Sequence, residues 1–427
     1  MEIIMTLTEI KSKIENGGFD DSFSMLYGCA KSARARYLKA CESFNELYKE
    51  EDGIRLFSAP GRTEIGGNHT DHQHGCVLAG GVNLDVIAVA APNGDGKIRI
   101  KSEGYDMDVI DINDTEINPA ESGRASALIR GVCARFKALG APVSGFNAYT
   151  TSNVLKGSGL SSSAAFEVLV GTIINGMFFD NKADEITVAK IGQYAEREYF
   201  GKPCGLLDQM ASSLGGFTYA DFHNPENPIT EKINLDIHAF GYTLCVVDTG
   251  GNHADLTQDY ADITIECKRV SNALGVDFLR DADEDRFYSS LASLRRECGD
   301  RAVLRAFHFF NEQRRVEGQK AALKAGDFDA FLKLVNESGE SSYDYLQNLY
   351  SNSNVAEQGL PLALALTKQF LRGTGACRVH GGGFAGTIQC YIPTERLDGY
   401  KEMIEKVFGV GSCCVLNIRP VGGYEIK

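Results

Sequence analysis

The residues best suited to chemistry fall in three glycine-rich stretches. The first is KGSGLSSSAAFEV, residues 156–168, where a glycine turn runs into a serine run that opens a helical pattern. Backbone N–H groups at a helix N-terminus attract anions, and glycine lets a phosphate approach the backbone closely. The serine hydroxyls add donors and a ligand suited to Mg²⁺. The Lys-Ser/Thr ending of a Walker A loop is absent, and so is the third glycine of GxGxxG. A plain serine cap on a glycine turn is the competing reading.

The second stretch is SAPGRTEIGGNHTDHQHG, residues 58–75, which holds three of the eight histidines together with Asp71. In an extended chain His69 and Asp71 share one face while His72 and His74 share the other, so four ligands do not converge on a metal. A polar ligand-binding loop beside Arg62 fits better, with a solvated loop as the alternative. The third stretch is RVHGGGFAGT, residues 378–387, a tight backbone site between two strands. HGGG also occurs in esterase oxyanion loops, but that chemistry needs a GxSxG elbow and the chain has none.

The elements that must hold these stretches are mixed. Residues 1 to about 50 carry helical periodicity and read as a decoration on the rest of the chain. Strands are expected at IRLFSAP, VNLDVIAVAAP, KIRIKSE and FNAYTTSNV, with a hairpin signal at NGDGK. Helices are expected at about 162–179, 185–200 and through much of 258–372. Strands return at YTLCVVDTGG, on both sides of the third glycine run, and at CVLNIRPV. This pattern predicts an α+β fold. The loop PENPI, near residue 228, is the expected junction. The expected division is a helical extension at 1–53, a first domain at 54–230 and a second at 231–427.

The chain of 427 residues carries 43 basic and 57 acidic side chains, a net charge of −14, so no global basic field draws it to nucleic acid. No secretory signal or membrane span is expected, and the oligomeric state is not readable. The 12 cysteines follow no framework spacing, which fits reduced thiols in a cytoplasmic protein.

The three stretches, in this order and at this spacing, resemble the motifs of GHMP superfamily sugar kinases, and within them the galactokinase family. The resemblance spans about residues 55–427. It implies two domains with the active site in the cleft between them, ATP and Mg²⁺ as cosubstrates, and γ-phosphoryl transfer to the C1 hydroxyl of galactose. It implies phosphate binding by Gly157, Ser158, Gly159, Leu160, Ser161, Ser162 and Ser163, with Ser102 as a weaker nucleotide contact. Mg²⁺ would be held by Ser163 and by Glu196, twelve residues before Asp208. Asp208, in PCGLLDQMASSLGG, would be the base or an electrostatic anchor, with Arg62 keeping it ionised and stabilising the transferred group. Asn68, His69, Thr70, Asp71, Gly205 and Tyr260 would bind the sugar, Tyr260 standing seven residues after His253 as the family's tyrosine does.

The chain departs from the family at three positions of its signature. Asn68 stands where Glu is usual, and Glu64 and Gly66 stand where Asn and Ile are usual. The usual Glu is associated with the sugar's 6-hydroxyl, so a neutral residue there would tolerate a C6 carboxylate. Galacturonate or another C6-altered sugar is therefore the alternative substrate. A non-catalytic sugar sensor is the alternative class. It is disfavoured by Ser163-Ala164, which such sensors lack, and by the presence of Asp208 and Arg62.

Overall fold

The apolar run VNLDVIAVAAP lies in a 17-residue strand, Cys76–Pro92, in a computed structural model that describes residues 5–49, 52–154, 159–202, 204–251 and 256–427. Along one edge this strand pairs antiparallel with Arg55–Gly66. Its other edge divides, with Val86–Pro92 on Phe146–Ser152 and Cys76–Gly80 on Phe217–Asp221. Lys97–Ser102 joins Phe146–Ser152 in parallel and is followed by Met107–Asp111. Ile229–Ile233 closes the other branch, and Tyr424–Glu425 returns to pair with Phe57 and Ser58.

Side-chain alternation explains why the long strand is apolar throughout. Ala88 and Ala90 join a core with Phe57, Phe136, Leu169 and Ile173. Ile87, Val89 and Ala91 join a separate core with Phe23, Tyr37 and Phe44. A strand covered on both faces carries a continuous apolar run rather than an alternating one. The helices Leu7–Glu15, Asp20–Tyr27 and Ala30–Tyr48 supply that second cover. They are therefore a structural layer and not the decoration expected from their periodicity. A buried ion pair confirms the attachment: Asp85 takes Arg36 and Tyr27 from this layer, and Arg419 from near the far end of the chain.

A second sheet is fully antiparallel, in the order Cys413–Leu416, Tyr242–Asp248, Thr387–Pro393, Ala376–His380. Leu244 and Val246 face the main core with Phe331 and Val335, and Cys245 and Val247 face Leu360, Ala363 and Ile404. Mixed strands and helices in both halves make the fold α+β. The expected boundary at 230 falls inside Ile229–Ile233, which belongs to the first sheet, as does Tyr424–Glu425. The second sheet therefore sits between two segments of the first rather than after it. No helix among the described residues is long and apolar enough to cross a membrane.

Candidate functional site

Arg62 lies between two register irregularities in the pairing of Arg55–Gly66 with its neighbour. Such bulges turn a strand side chain out of its regular direction. The Arg62 guanidinium donates from Nε to Asp208 Oδ1 at 2.7 Å and from Nη1 to the carbonyl of Gly159. Asp208 sits in the first turn of the helix Leu207–Leu214. Its other oxygen accepts from the Ser161 hydroxyl at 2.7 Å. Burial pushes the Asp208 carboxyl up, but Arg62, Ser161 and Lys202 outweigh it and hold it below the usual carboxylate range. Asp208 is thus an ionised carboxylate at neutral pH, able to accept a proton and not to supply one.

Ser161 is the residue before the helix Ser162–Phe178 and is left-handed, with φ of 55°. Its hydroxyl is committed to Asp208 and caps no backbone N–H of the helix. The positive end of this helix therefore meets the Arg62–Asp208 pair without a side-chain cap. Gly159 also has a positive φ, and a Cβ there would lie 2.9 Å from both His380 Nδ1 and Thr387 Oγ1. The third glycine-rich stretch is thus the floor under the first. His380 accepts at Nε2 from the Glu64 N–H, which places its proton on Nδ1 facing Thr387. Burial, Arg62 and Arg378 hold His380 well below the usual histidine value, so it is neutral. Leu160 is core, and its carbonyl accepts from the Arg62 N–H. Ser162 is the first residue of the helix. Gly157, Ser158 and His253 lie outside the described residues.

At the second residue of the helix, the Ser163 hydroxyl donates to Glu196 Oε1 at 3.0 Å. Glu196 lies in a wide turn of π type, Ala195–Phe200, a geometry often found at functional sites. Lys202 Nζ reaches the same oxygen at 2.9 Å, and Gln209 Nε2 donates to Oε2 at 2.8 Å. One hydroxyl beside one carboxylate, at a helix N-terminus, is a donor set that fits Mg²⁺, an ion that keeps several waters and shares phosphate oxygens.

The turn after Arg55–Gly66 serves two purposes. Asp71 approaches Gly205 so closely that a Cβ there would lie 2.0 Å from Asp71 Oδ2, so any larger residue would push the carboxylate aside. Asn68, by contrast, is fully buried and saturated. It donates to Glu64 Oε1 at 2.9 Å and to the Gly381 carbonyl at 2.7 Å, and it accepts from Asn348 at 2.8 Å and Ser342 at 3.3 Å. A carboxamide has no further hydrogen-bonding capacity. Asn68, expected to bind the sugar, thus has its side chain bonded wholly within the protein. Thr70 is likewise turned inward, donating to the carbonyls of Gly67 and Cys76, and shapes the turn rather than facing a ligand. His69 donates to the Gly382 carbonyl at 2.8 Å, leaving its second nitrogen as an acceptor. Tyr260 donates to the Gly383 carbonyl at 2.8 Å, and burial raises its hydroxyl to about 12. Ser102 accepts from Thr150 and has no hydrogen bond to any other expected site residue among the described ones.

Several further residues act here, and apart from Glu64, a departure from the family signature, the sequence singles out none of them. Glu64 forms a buried ion pair with Arg378 at 2.7 Å, joining the two sheets directly behind the site. Glu312, on the helix Asp300–Ala325, accepts from the Gly67 N–H and from Ser338. Lys202 carries a positive charge to Glu196 from an exposed position. A charge-rich run such as EREYFGK reads as solvated, and only the wide turn brings Glu196 inward.

Comparison with known proteins places the chain in a family. Residues 127–216 match the family "GHMP kinases N terminal domain", and residues 42–92 match the "Galactokinase galactose-binding signature". A galactokinase of Lactobacillus helveticus is 30% identical over 374 residues, covering 85% of this chain and 92% of its own. A galactokinase of Streptomyces coelicolor is 29% identical, covering 86% and 92%. Among solved structures, Lactococcus lactis galactokinase complexed with galactose has a similar fold, with a TM-score of 0.75 at 23% identity, covering 90% of this chain and 98% of that one. A mevalonate kinase shares the fold more distantly, with a TM-score of 0.59 at 15% identity over 85% and 98%.

Proposed function

Since the chain belongs to the galactokinase family, we propose that the cleft around Asp208 transfers the γ-phosphoryl group of ATP to the C1 hydroxyl of galactose. The observation that carries this reading is the unbroken chain of contacts from Gly159 through Arg62 and Asp208 to Ser161 at an uncapped helix start. Phosphoryl transfer rests on positioning and charge stabilisation, and each part has a residue suited to it. The backbone from Gly159 and the first turn of Ser162–Phe178 would hold the phosphates. Ser163 and Glu196 would hold Mg²⁺, which would neutralise charge on the phosphate oxygens. Asp208 would orient the C1 hydroxyl and accept its proton. Arg62 would keep Asp208 ionised and stabilise charge on the transferred group. Asp71 and the Gly205 backbone would pair with ring hydroxyls, with the free nitrogen of His69 as an acceptor. A cytoplasmic setting would suit the twelve cysteines, none of which is paired in a disulfide.

Galactose is the preferred substrate in this reading. Tolerance of a C6 carboxylate would need a neutral residue at position 68 that faces the sugar, and Asn68 is bonded wholly within the protein. The test is ADP release with MgATP over galactose, galacturonate, arabinose, glucose and N-acetylgalactosamine, against a blank without sugar. Turnover is expected to be highest on galactose. Highest turnover on galacturonate would reassign the substrate, and no turnover on any sugar would remove the kinase reading.

A further inference from the structure

Both oxygens of Glu196 are tied to one helix. Ser163 donates to Oε1 directly. Four residues on, Glu167 reaches Oε2 indirectly, because Gln209 Nε2 donates to Glu167 Oε2 at 2.9 Å and to Glu196 Oε2 at 2.8 Å. Positions i and i+4 share a helix face, so Ser163 and Glu167 address Glu196 from the same side. The carboxamide and both carboxylates are buried, with Gln209 at 0%, Glu167 at 1% and Glu196 at 2% exposure. The packing around them is tight. A Cβ on Gly192 would lie 3.2 Å from Gln209 Cγ and 3.2 Å from Glu167 Cβ and Oε2. Gln209 also follows Asp208 directly in the first turn of Leu207–Leu214.

We propose that Gln209, braced by Glu167, is a positioning residue that aims Glu196 Oε1 toward Ser163 and so builds the Mg²⁺ site. The proposal rests on the reading that Ser163 and Glu196 hold the metal. Among the described residues Gln209 supplies the amide donor to Oε2, and the Cys204 thiol, a weak donor, is the remaining neighbour of this carboxylate. Without Gln209 the carboxylate is held at Oε1 alone, by Ser163 and Lys202, and is free to swing about that end. Because Gln209 and Asp208 share one helical turn, a single element then sets both the proton acceptor and the metal ligand.

The test is Gln209→Met, which keeps the length of the side chain and removes both donors. Two quantities are read: the Mg²⁺ concentration giving half-maximal turnover, and capture of Mn²⁺ by the enzyme with ADP, followed by loss of the free-Mn²⁺ paramagnetic signal. The Mg²⁺ requirement is expected to rise tenfold or more and Mn²⁺ capture to weaken by a similar factor, with the KM for galactose unchanged. Excess Mg²⁺ should restore much of the turnover. An unchanged metal requirement and unchanged Mn²⁺ capture in folded Gln209→Met would overturn the proposal. Glu196→Ala separates the metal site from its positioning. If it leaves Mn²⁺ capture intact, the metal reading itself fails. If it abolishes capture while Gln209→Met does not, only the positioning role fails. Should Gln209→Met not fold, Gly192→Ala decides, because it crowds Gln209 without removing the amide. A rise in its Mg²⁺ requirement supports the proposal, and no change overturns it.

Discussion

Two polar clusters grow from the same strand, Arg55–Gly66, and they are built on opposite principles. Around Arg62 the groups are charged but incompletely satisfied. Asp208 keeps 30% of its side chain exposed and Lys202 keeps 55%. Around Glu64, two residues further on, the groups are buried and bonded mainly to one another, although Arg378 Nε and Nη1, Arg315 Nη2 and Asn348 Oδ1 have no hydrogen-bond partner among the described residues. Asn68 uses its full hydrogen-bonding capacity, and Glu312 accepts from the backbone of Gly67, from Ser338 and from Arg315. A site that must receive a substrate keeps charged groups within reach of solvent, while a network that holds two sheets together buries them. Removing a group from the first should change rates; removing one from the second should change stability.

That contrast can be broken at three points. The largest effect is expected for Asp208→Asn, which removes the proton acceptor and keeps the shape. Turnover should fall by about a thousandfold, on the order of 4 kcal/mol in the barrier, while ATP affinity and the thermal midpoint stay near native. A variant retaining near-native turnover would place the chemistry elsewhere. Next is Asn68→Leu, which strands Glu64, Gly381, Asn348 and Ser342 at once. Stability in urea should fall by about 3 kcal/mol, with the galactose KM of the folded enzyme unchanged. If stability holds and galactose affinity alone is lost, position 68 belongs to the sugar site and the distinction collapses. The smallest effect is expected for Gly205→Ala, whose Cβ would displace the Asp71 carboxylate. The galactose KM should rise about tenfold, or about 1.4 kcal/mol, with the ATP KM little altered. Equal effects on both KM values would remove the pairing of Asp71 and Gly205 from sugar binding.

The same contrast explains what is legible in the sequence. The phosphate loop is legible because its glycines and serines point to anion binding, while Arg62, Asp208 and Glu196 are legible through their places in the family's motifs, Glu196 by its spacing of twelve residues before Asp208. The closed network is not, because its members are one residue here and one there. Glu312 and Arg378 look unremarkable singly, Glu64 stands out only as a departure from the family signature, and the meeting of these groups depends on how the second sheet and the helix Asp300–Ala325 lie against the strand Arg55–Gly66 and the turn after it. Asn68 resembles a ligand because polar residues in a glycine-rich turn usually face outward, and the turn instead points it into the junction between sheets. The N-terminal helices hide their role for a related reason. Helical periodicity shows that one face is apolar but not what that face covers. The signal lies in the partner: VIAVAAP, apolar on both sides, requires a cover that the other helices do not supply.

The return of Tyr424–Glu425 to Phe57 and Ser58 has a consequence for synthesis. On a ribosome the N-terminal half emerges long before the final strand. During that interval Asp85 lacks Arg419, Arg55 lacks Glu425, and Ser22 lacks the Lys427 carbonyl. The first sheet cannot reach its final state until residues 419–427 have been made, so the N-terminal half must wait, partly assembled, for a segment more than three hundred residues further along its own chain.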